Sequence, residues 1–352
     1  MSTSNSLHFP IANLKFANAL QSIPQSIPPI WFMRQAGRYH SHYRKLKEKY
    51  TFLELCKNPQ LSAEVALGPI LEFDFDVAIL FSDLLFPLDA LGMGLDYLPG
   101  PKLSHHLSQE KDVLSLRSLG DALPYLEFQK TALQLTRNIL PKHVSLIGFI
   151  GGPWTLFTYA AIGKHEGNLS FAKTQTKLAE AFYEKILPLL KENLRIQMEG
   201  GAEIVMVFDT AAGDLDPISF QSLVIRPLQE LCDLFPNRVG YYAKGTTHHQ
   251  MQLLDTVQGL AGFGIDHRFS LNKVFKEKRN TGFLQGNFDQ SLLFLDRSQL
   301  NLALDQYLKP LKELSPVERK GWISGLGHGV LQHTPEDNVK FMIDKIRETF
   351  HD

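Results

Sequence analysis

The chain has 352 residues, 44% of them hydrophobic, which is enough for one sizeable core or two smaller ones. Its 36 Lys and Arg against 37 Asp and Glu leave a net charge of −1, which excludes the global basic field of a nonspecific nucleic-acid or anionic-membrane binder. Two cysteines, Cys56 and Cys232, exclude a disulfide framework or a four-cysteine zinc site, and no apolar run nears the about 20 residues of a membrane span.

The first ten residues, MSTSNSLHFP, hold no basic cluster and no apolar segment, and the first Lys or Arg is Lys15. No secretory or transit segment is expected, and the protein is expected to be cytoplasmic. Short apolar runs then recur along the chain: Ile30 to Met33, Val77 to Phe81, Val144 to Ile150, Ile204 to Phe208, Val239 to Ala243, Leu260 to Ile265, Gly282 to Leu284 and Trp322 to Ser324. Runs this short, apolar throughout and bounded by Gly or Pro, suit strands buried on both faces of a parallel sheet. The polar stretch from His105 to Asp121 reads as a surface excursion.

Helices are expected between the runs. Asn58-Pro59 and Asp216-Pro217 pair an N-cap with a proline in the first turn. Thr334-Pro335-Glu336-Asp337 repeats the signal with acids facing the helix dipole, and Val339, Met342, Ile343, Ile346 and Phe350 follow as one stripe. From Thr176 to Met198, Leu178, Phe182, Ile186, Leu190 and Leu194 share a face. Eight strand candidates alternating with helices predict an α/β fold, a (β/α)8 TIM barrel. It is expected to be a single domain over 1–352, with roughly the first 27 residues packed on the barrel as an extension. A doubly wound open sheet is the alternative, but no GxGxxG follows a strand and no GxxxxGK[ST] is present.

Barrel chemistry gathers at the C-terminal ends of strands. Those ends read Arg34-Gln35-Ala36-Gly37-Arg38-Tyr39, Ser82-Asp83, Gly151-Gly152-Pro153-Trp154 with Tyr159 beyond, Asp209-Thr210, Lys244-Gly245-Thr246, Asp266-His267, Gln285-Gly286-Asn287 and Gly327-His328-Gly329. Arg34 and Arg38 suit a substrate with several carboxylates or phosphates; the alternative is a solvated pair. Asp83 is either a functional carboxylate or a helix N-cap. His328 is an acid, a donor, a ligand or a structural histidine, and Tyr159, with Trp154 and Phe157 nearby, reads as core packing before a functional group. Asp209 reads as an N-cap or an interior carboxylate. Lys244 reads as an ion-paired lysine before a Schiff-base one. No metal site is expected: His248-His249 diverge, His105-His106 lie in the polar stretch, and His40 and His42 read as surface residues.

Taken together, PIWFMRQAGRY (29–39), FLELCKNP (52–59), AILFSDLLFPLDALGMGL (78–95), GFIGGPWTLFTYA (148–160), FDTAAGDLDP (208–217), LQGNFD (284–289) and GLGHGVLQHTPEDNV (325–339) resemble the uroporphyrinogen decarboxylase family almost end to end. The resemblance implies a (β/α)8 barrel, a homodimer and no cofactor or metal. It implies a carboxy-lyase that turns the four acetate side chains of uroporphyrinogen III into methyls, giving coproporphyrinogen III and CO2. No nucleic-acid or membrane partner is expected beside this tetrapyrrole. Family substrate-binding positions fall on Arg34, Gln35, Ala36, Gly37, Arg38, Asp83, Tyr159, Thr210 and His328, with Asp83, Arg34 and Tyr159 as the catalytic set. The chain departs from the family at His40-Ser41-His42 (Leu-Pro-Glu in the family), Lys47 (Arg), Thr210 (Ser), Gly325 (Asn) and His267 (Trp). A corrinoid-dependent methyltransferase of the same superfamily is the alternative enzyme, and a non-catalytic porphyrin-binding paralogue is the alternative outside enzymes. The first would need zinc ligands near strand ends, and the second would have lost Asp83 or Arg34.

Overall fold

The computed structural model describes residues 10–97, 100–277 and 282–351. Most of the N-terminal decapeptide therefore lies outside the described residues. Two strands, β2 (Leu95–Tyr97) and β3 (Pro101–Leu103), pair as an antiparallel hairpin. The others form one parallel sheet: β1 (Val77–Ile79), β4 (Ser145–Gly151), β5 (Val205–Phe208), β6 (Val239–Tyr242), β7 (Leu260–Gly264), β8 (Phe283–Phe288) and β9 (Trp322–Leu326). Each strand lies beside the next in sequence. Right-handed crossovers repeated in one direction lay the helices on a single face. A sheet covered on one face only buries the other by curling upon itself.

The first apolar run is not a strand. Ile30 makes only an isolated parallel bridge to Ser324, and the chain turns at Met33. This segment nevertheless reaches both edges of the sheet. Ser324 N–H donates to Pro29 O at 2.9 Å on the β9 side, and Asp76 N–H donates to Ile30 O at 3.0 Å on the β1 side.

Alternation along the strands divides the core in two. Trp31, Met33, Val77, Ile79, Ile147, Met206, Phe283 and Ile323 fill the concave side, with Phe16 and Ala19 of the helix Leu14–Leu20. Ile30, Phe32, Ala78, Leu80, Leu146 and Ile150 face outward and meet the helices. The stripe on Glu336–Thr349 and that on Thr176–Glu199 are both buried, as their periodicity predicts. Asn58 and Asp216 cap their helices through their side chains. Thr334 does not: its hydroxyl donates to Leu331 O at 2.9 Å, and Pro335 takes the N-cap position. The polar stretch is more than an excursion, since it folds into Glu110–Leu114 and Leu119–Ala122 and buries Val113 and Leu116. Among the described residues, no helix is long and apolar enough to cross a membrane.

Asp209, at the end of β5, is an interior carboxylate. It accepts from Thr155 N–H at 2.7 Å, in the first turn of the helix Pro153–Ile162, and faces the Tyr241 hydroxyl at 3.4 Å. Gly152 leaves it room, because a Cβ there would stand 2.2 Å from its Cγ. Burial pushes Asp209 up to about 6 against the pull of those hydrogen bonds. The folded state then holds a proton that the unfolded chain has already released, so stability falls as pH rises from about 4 through about 6. Relative to wild type, Asp209→Asn should lose this fall, a difference of up to about 3 kcal/mol between pH 4 and 7. Denaturant unfolding of both proteins at each pH unit measures it, and parallel curves would refute the assignment.

Candidate active site

The chain turns sharply after Met33. Gln35 N–H donates to Phe32 O at 3.0 Å, and Arg34 adopts a left-handed conformation, φ 61°. Gln35 secures the turn. Its amide donates to Val77 O at 2.9 Å and accepts from Phe32 N–H at 3.1 Å, while its carbonyl accepts from the Tyr39 hydroxyl at 2.8 Å. Gln35, expected among the substrate-binding positions, commits its side chain to the turn. That side chain is buried, and it does not line the cleft. Arg34 and Arg38, on either side of it, are exposed there. Gly329 gives Arg34 its space, since a Cβ at that position would lie 2.5 Å from the arginine Cδ.

The cleft measures about 880 Å³ and gathers Arg34, Ala36, Gly37, Arg38, Asp83, Tyr159, Thr210 and His328. Asp83 follows β1 and accepts from Leu85 N–H at 2.8 Å. It does not cap the next helix, Phe86–Ala90, whose N-cap is Leu85. Protein crowds its carboxyl and desolvation holds it above the usual range, although Leu85 N–H, Tyr97 and Arg34 pull it down. A desolvated carboxylate gains from accepting further N–H groups of a ligand.

Burial pushes Tyr159 up to about 12, with Asp83 adding to the shift, so its phenol keeps its proton. His328 is pushed down to about 4 by burial and then by Arg34 and Lys244. The Tyr242 hydroxyl donates to Gly327 O at 2.7 Å and lies 3.1 Å from His328 Nδ1. The phenol has one proton, so neutral His328 donates from Nδ1 and keeps Nε2 as an acceptor.

Sequence reasoning missed several lining residues. Phe149 and Phe208, at the ends of β4 and β5, make an apolar wall with ring centroids 5.6 Å apart. Their strand-end positions were a usable signal. Tyr97 comes from the unforeseen hairpin, and His165 from the loop after Pro153–Ile162. Lys47, already singled out where the family has Arg, lines the cleft as a third cation. The end of β6 reaches it through Tyr242, but the polar residues beyond β6 and β7 are tied off elsewhere. Lys244 pairs with Glu166 at 2.9 Å, the ion-paired reading, and Asp266 is held by Arg268 and by Gly245 N–H.

His40 is not a surface residue. It is fully buried, and its Nε2 lies 2.8 Å from Glu72. With Glu336 these groups place three possible metal-ligand atoms within 4.8 Å of one another, away from the cleft. Glu336 already accepts from Ser41 N–H at 2.7 Å and pairs with Arg44 at 3.2 Å. The cluster thus ties the turn to the helices Pro59–Phe73 and Glu336–Thr349.

The sequence profile of the family described as uroporphyrinogen decarboxylase (URO-D) matches residues 12–349. The chain belongs to the uroporphyrinogen decarboxylase family. It is 33% identical over 343 residues to a uroporphyrinogen decarboxylase of Geotalea uraniireducens, covering 94% of this chain and 97% of that one. It is 35% identical over 339 residues to another, from Syntrophotalea carbinolica, covering 94% and 96%. A solved methyltransferase structure from Methanosarcina mazei superposes with a TM-score of 0.77 at 18% identity, covering 97% of this chain and 99% of that one. That likeness shows the fold alone.

In this member of the uroporphyrinogen decarboxylase family, His328 should stay neutral through the physiological range. Its imidazole should titrate well below the ordinary value of about 6.5, and Arg34→Ala should move the midpoint upward by removing a facing cation. NMR titration of the imidazole protons, assigned with His328→Gln, checks both. A midpoint at the ordinary value would refute the buried, cation-faced environment.

Proposed function

We propose that this chain decarboxylates uroporphyrinogen III, converting its acetate side chains to methyls and releasing CO2, without a cofactor. One observation carries the reading: a desolvated carboxylate, Asp83, faces the same largely apolar cleft as the cations Arg34, Arg38 and Lys47. The substrate carries a carboxylate on every side chain and an N–H on every ring, and the cleft offers partners for both.

The chemistry balances within the substrate. A proton adds to the ring carbon beside the one bearing the acetate arm, making a cationic ring. The bond from the arm's methylene to its carboxylate breaks, and the pair flows into the ring and neutralises it. The methylene takes a proton to become methyl, and the ring carbon releases the one it gained. Each turn consumes one proton and liberates one CO2. Asp83 accepts the N–H groups and offsets the transient cation, an interaction strongest in the transition state. Arg34 and Arg38 hold carboxylates by forked hydrogen bonds. Tyr159, Thr210 and His328 orient the ring system.

The same reading makes segment 30–33 the first stave of a closed (β/α)8 barrel, forming a single domain over residues 1–352. A cytoplasmic homodimer belongs to it as well. The methyltransferase reading finds less support. Cys56 and Cys232 are fully buried in the helices Phe52–Lys57 and Arg226–Cys232, and neither lines the cleft.

Anaerobic incubation with uroporphyrinogen III, followed by oxidation and separation by carboxyl count, should yield the tetracarboxylic product, and unchanged substrate would reject the proposal. Asp83→Asn keeps shape but removes charge. Its kcat should fall roughly 10²–10³-fold with a normal melting temperature. A rate within about threefold of wild type would remove Asp83 from the mechanism. Arg34→Ala and Arg38→Ala should each lower kcat/KM at least roughly 30-fold, with only partial rescue by Lys, because a point charge cannot form the planar fork.

A further inference from the structure

His165 stands in the cleft without a role in the mechanism so far. The helix Pro153–Ile162 ends at Gly163, whose left-handed conformation, φ 71°, turns the chain back over its own last turn. His165 Nδ1 thereby comes to 2.5 Å from the Tyr159 hydroxyl, with ring centroids 5.2 Å apart. On its other side, Nε2 lies 3.8 Å from Glu166 Oε1, and that carboxylate is anchored to Lys244, just beyond β6, at 2.9 Å. A chain of groups thus runs from Lys244 through Glu166 and His165 to Tyr159 inside the cleft.

We infer that His165 is a positioning residue that sets the hydrogen-bond polarity of Tyr159, drawing the phenolic proton to itself so that Tyr159 meets the substrate as an acceptor. This inference rests on the decarboxylase reading. The proton inventory supports it. Burial, then Arg34 and Lys244, push His165 below the ordinary imidazole range, while Glu166 pulls it up. His328, on the loop after β9, faces it as well. At neutral pH the imidazole and the phenol therefore hold one proton each. The Glu166 carboxylate, kept ionised by Lys244, favours the imidazole proton on Nε2. Nδ1 is then an acceptor, and the Tyr159 O–H is the only donor left for the 2.5 Å contact.

The consequence is a division of labour in the cleft. Asp83 and Tyr159 both present acceptors and gather N–H groups, while the arginines take the carboxylates. Acidification adds a proton at Nδ1, which then donates to the phenol oxygen. The phenolic proton swings into the cleft and opposes an N–H ligand.

The test is a double-mutant cycle of His165→Ala and Tyr159→Phe, with kcat and KM for uroporphyrinogen III measured anaerobically from pH 5 to 8.5. His165→Ala should lower kcat/KM about five- to tenfold when Tyr159 is present and have no further effect on Tyr159→Phe. Wild type should show an acid limb that differs from that of Tyr159→Phe, whose limb reports Asp83 alone, and His165→Ala should follow the Tyr159→Phe limb. His165→Gln offers a carbonyl that accepts the phenolic proton at every pH, so it should restore the rate but not the wild-type limb. Melting temperatures accompany each variant. Equal losses in both backgrounds, an acid limb unchanged by the loss of His165, or a Gln variant as slow as Ala would each overturn the inference. Wild type that fails to convert the substrate would instead reject the decarboxylase reading, so the two failures are distinguishable.

Discussion

Asp76 is the side chain on which the rest of the architecture hangs. It is buried just before β1, and its carboxylate accepts from Ile30 N–H at 2.8 Å and Asn13 Nδ2–H at 3.3 Å and pairs with Lys15 at 2.6 Å. Its backbone carbonyl accepts from Ser145 N–H at the start of β4. One residue thus joins the N-terminal helix, the bridging segment and the free edge of the sheet. An unpaired edge leaves a row of backbone groups without partners, and a buried one is costly. With the segment held across that edge, the turn at Arg34–Arg38 is set over the mouth of the sheet, where the cleft lies.

Desolvation then governs the chemistry of the cleft. Burial is the largest cause of the upward shifts of Asp83 and Tyr159 and of the downward shift of His328. Each shift favours the neutral form, so the interior of the site resists carrying charge of its own. The cations Arg34, Arg38 and Lys47 remain exposed at its walls. A polyanionic ligand would exchange water for guanidinium groups at the rim while its rings enter the apolar part between Phe149 and Phe208. In the proposed mechanism the cations at the rim hold the carboxylates, while Asp83 in the interior offsets the transient cation.

Much of this was legible in the residues themselves. Short apolar runs bounded by Gly and Pro marked all seven strands of the sheet, because burial on both faces leaves little choice of side chain. Asn58-Pro59 and Asp216-Pro217 marked helix starts, because capping is settled within a turn of chain. Thr334 failed the same rule: its hydroxyl found a carbonyl three residues back, an equally local competitor. The RQAGR, FSD and GHG elements supply Arg34, Arg38, Asp83 and His328 to the lining of the cleft. Within the RQAGR motif nothing local distinguishes Gln35, whose side chain holds the turn, from the residues the turn displays.

The chain's local pattern by itself determined the seven strands of the parallel sheet, the capped helix starts at Asn58 and Asp216, and which strand ends carry arginine, aspartate, tyrosine and histidine. These follow from periodicity, capping and backbone preference, which act over a few residues. Tertiary structure alone decided that Ile30–Met33 bridges two edges rather than pairing as a strand, that His40 is buried against Glu72, and that His165 returns to Tyr159. It also decided which strand ends share the cleft and which tie themselves off in ion pairs. Such outcomes depend on distances between residues far apart in the chain and on the water their packing expels, and no local pattern records either.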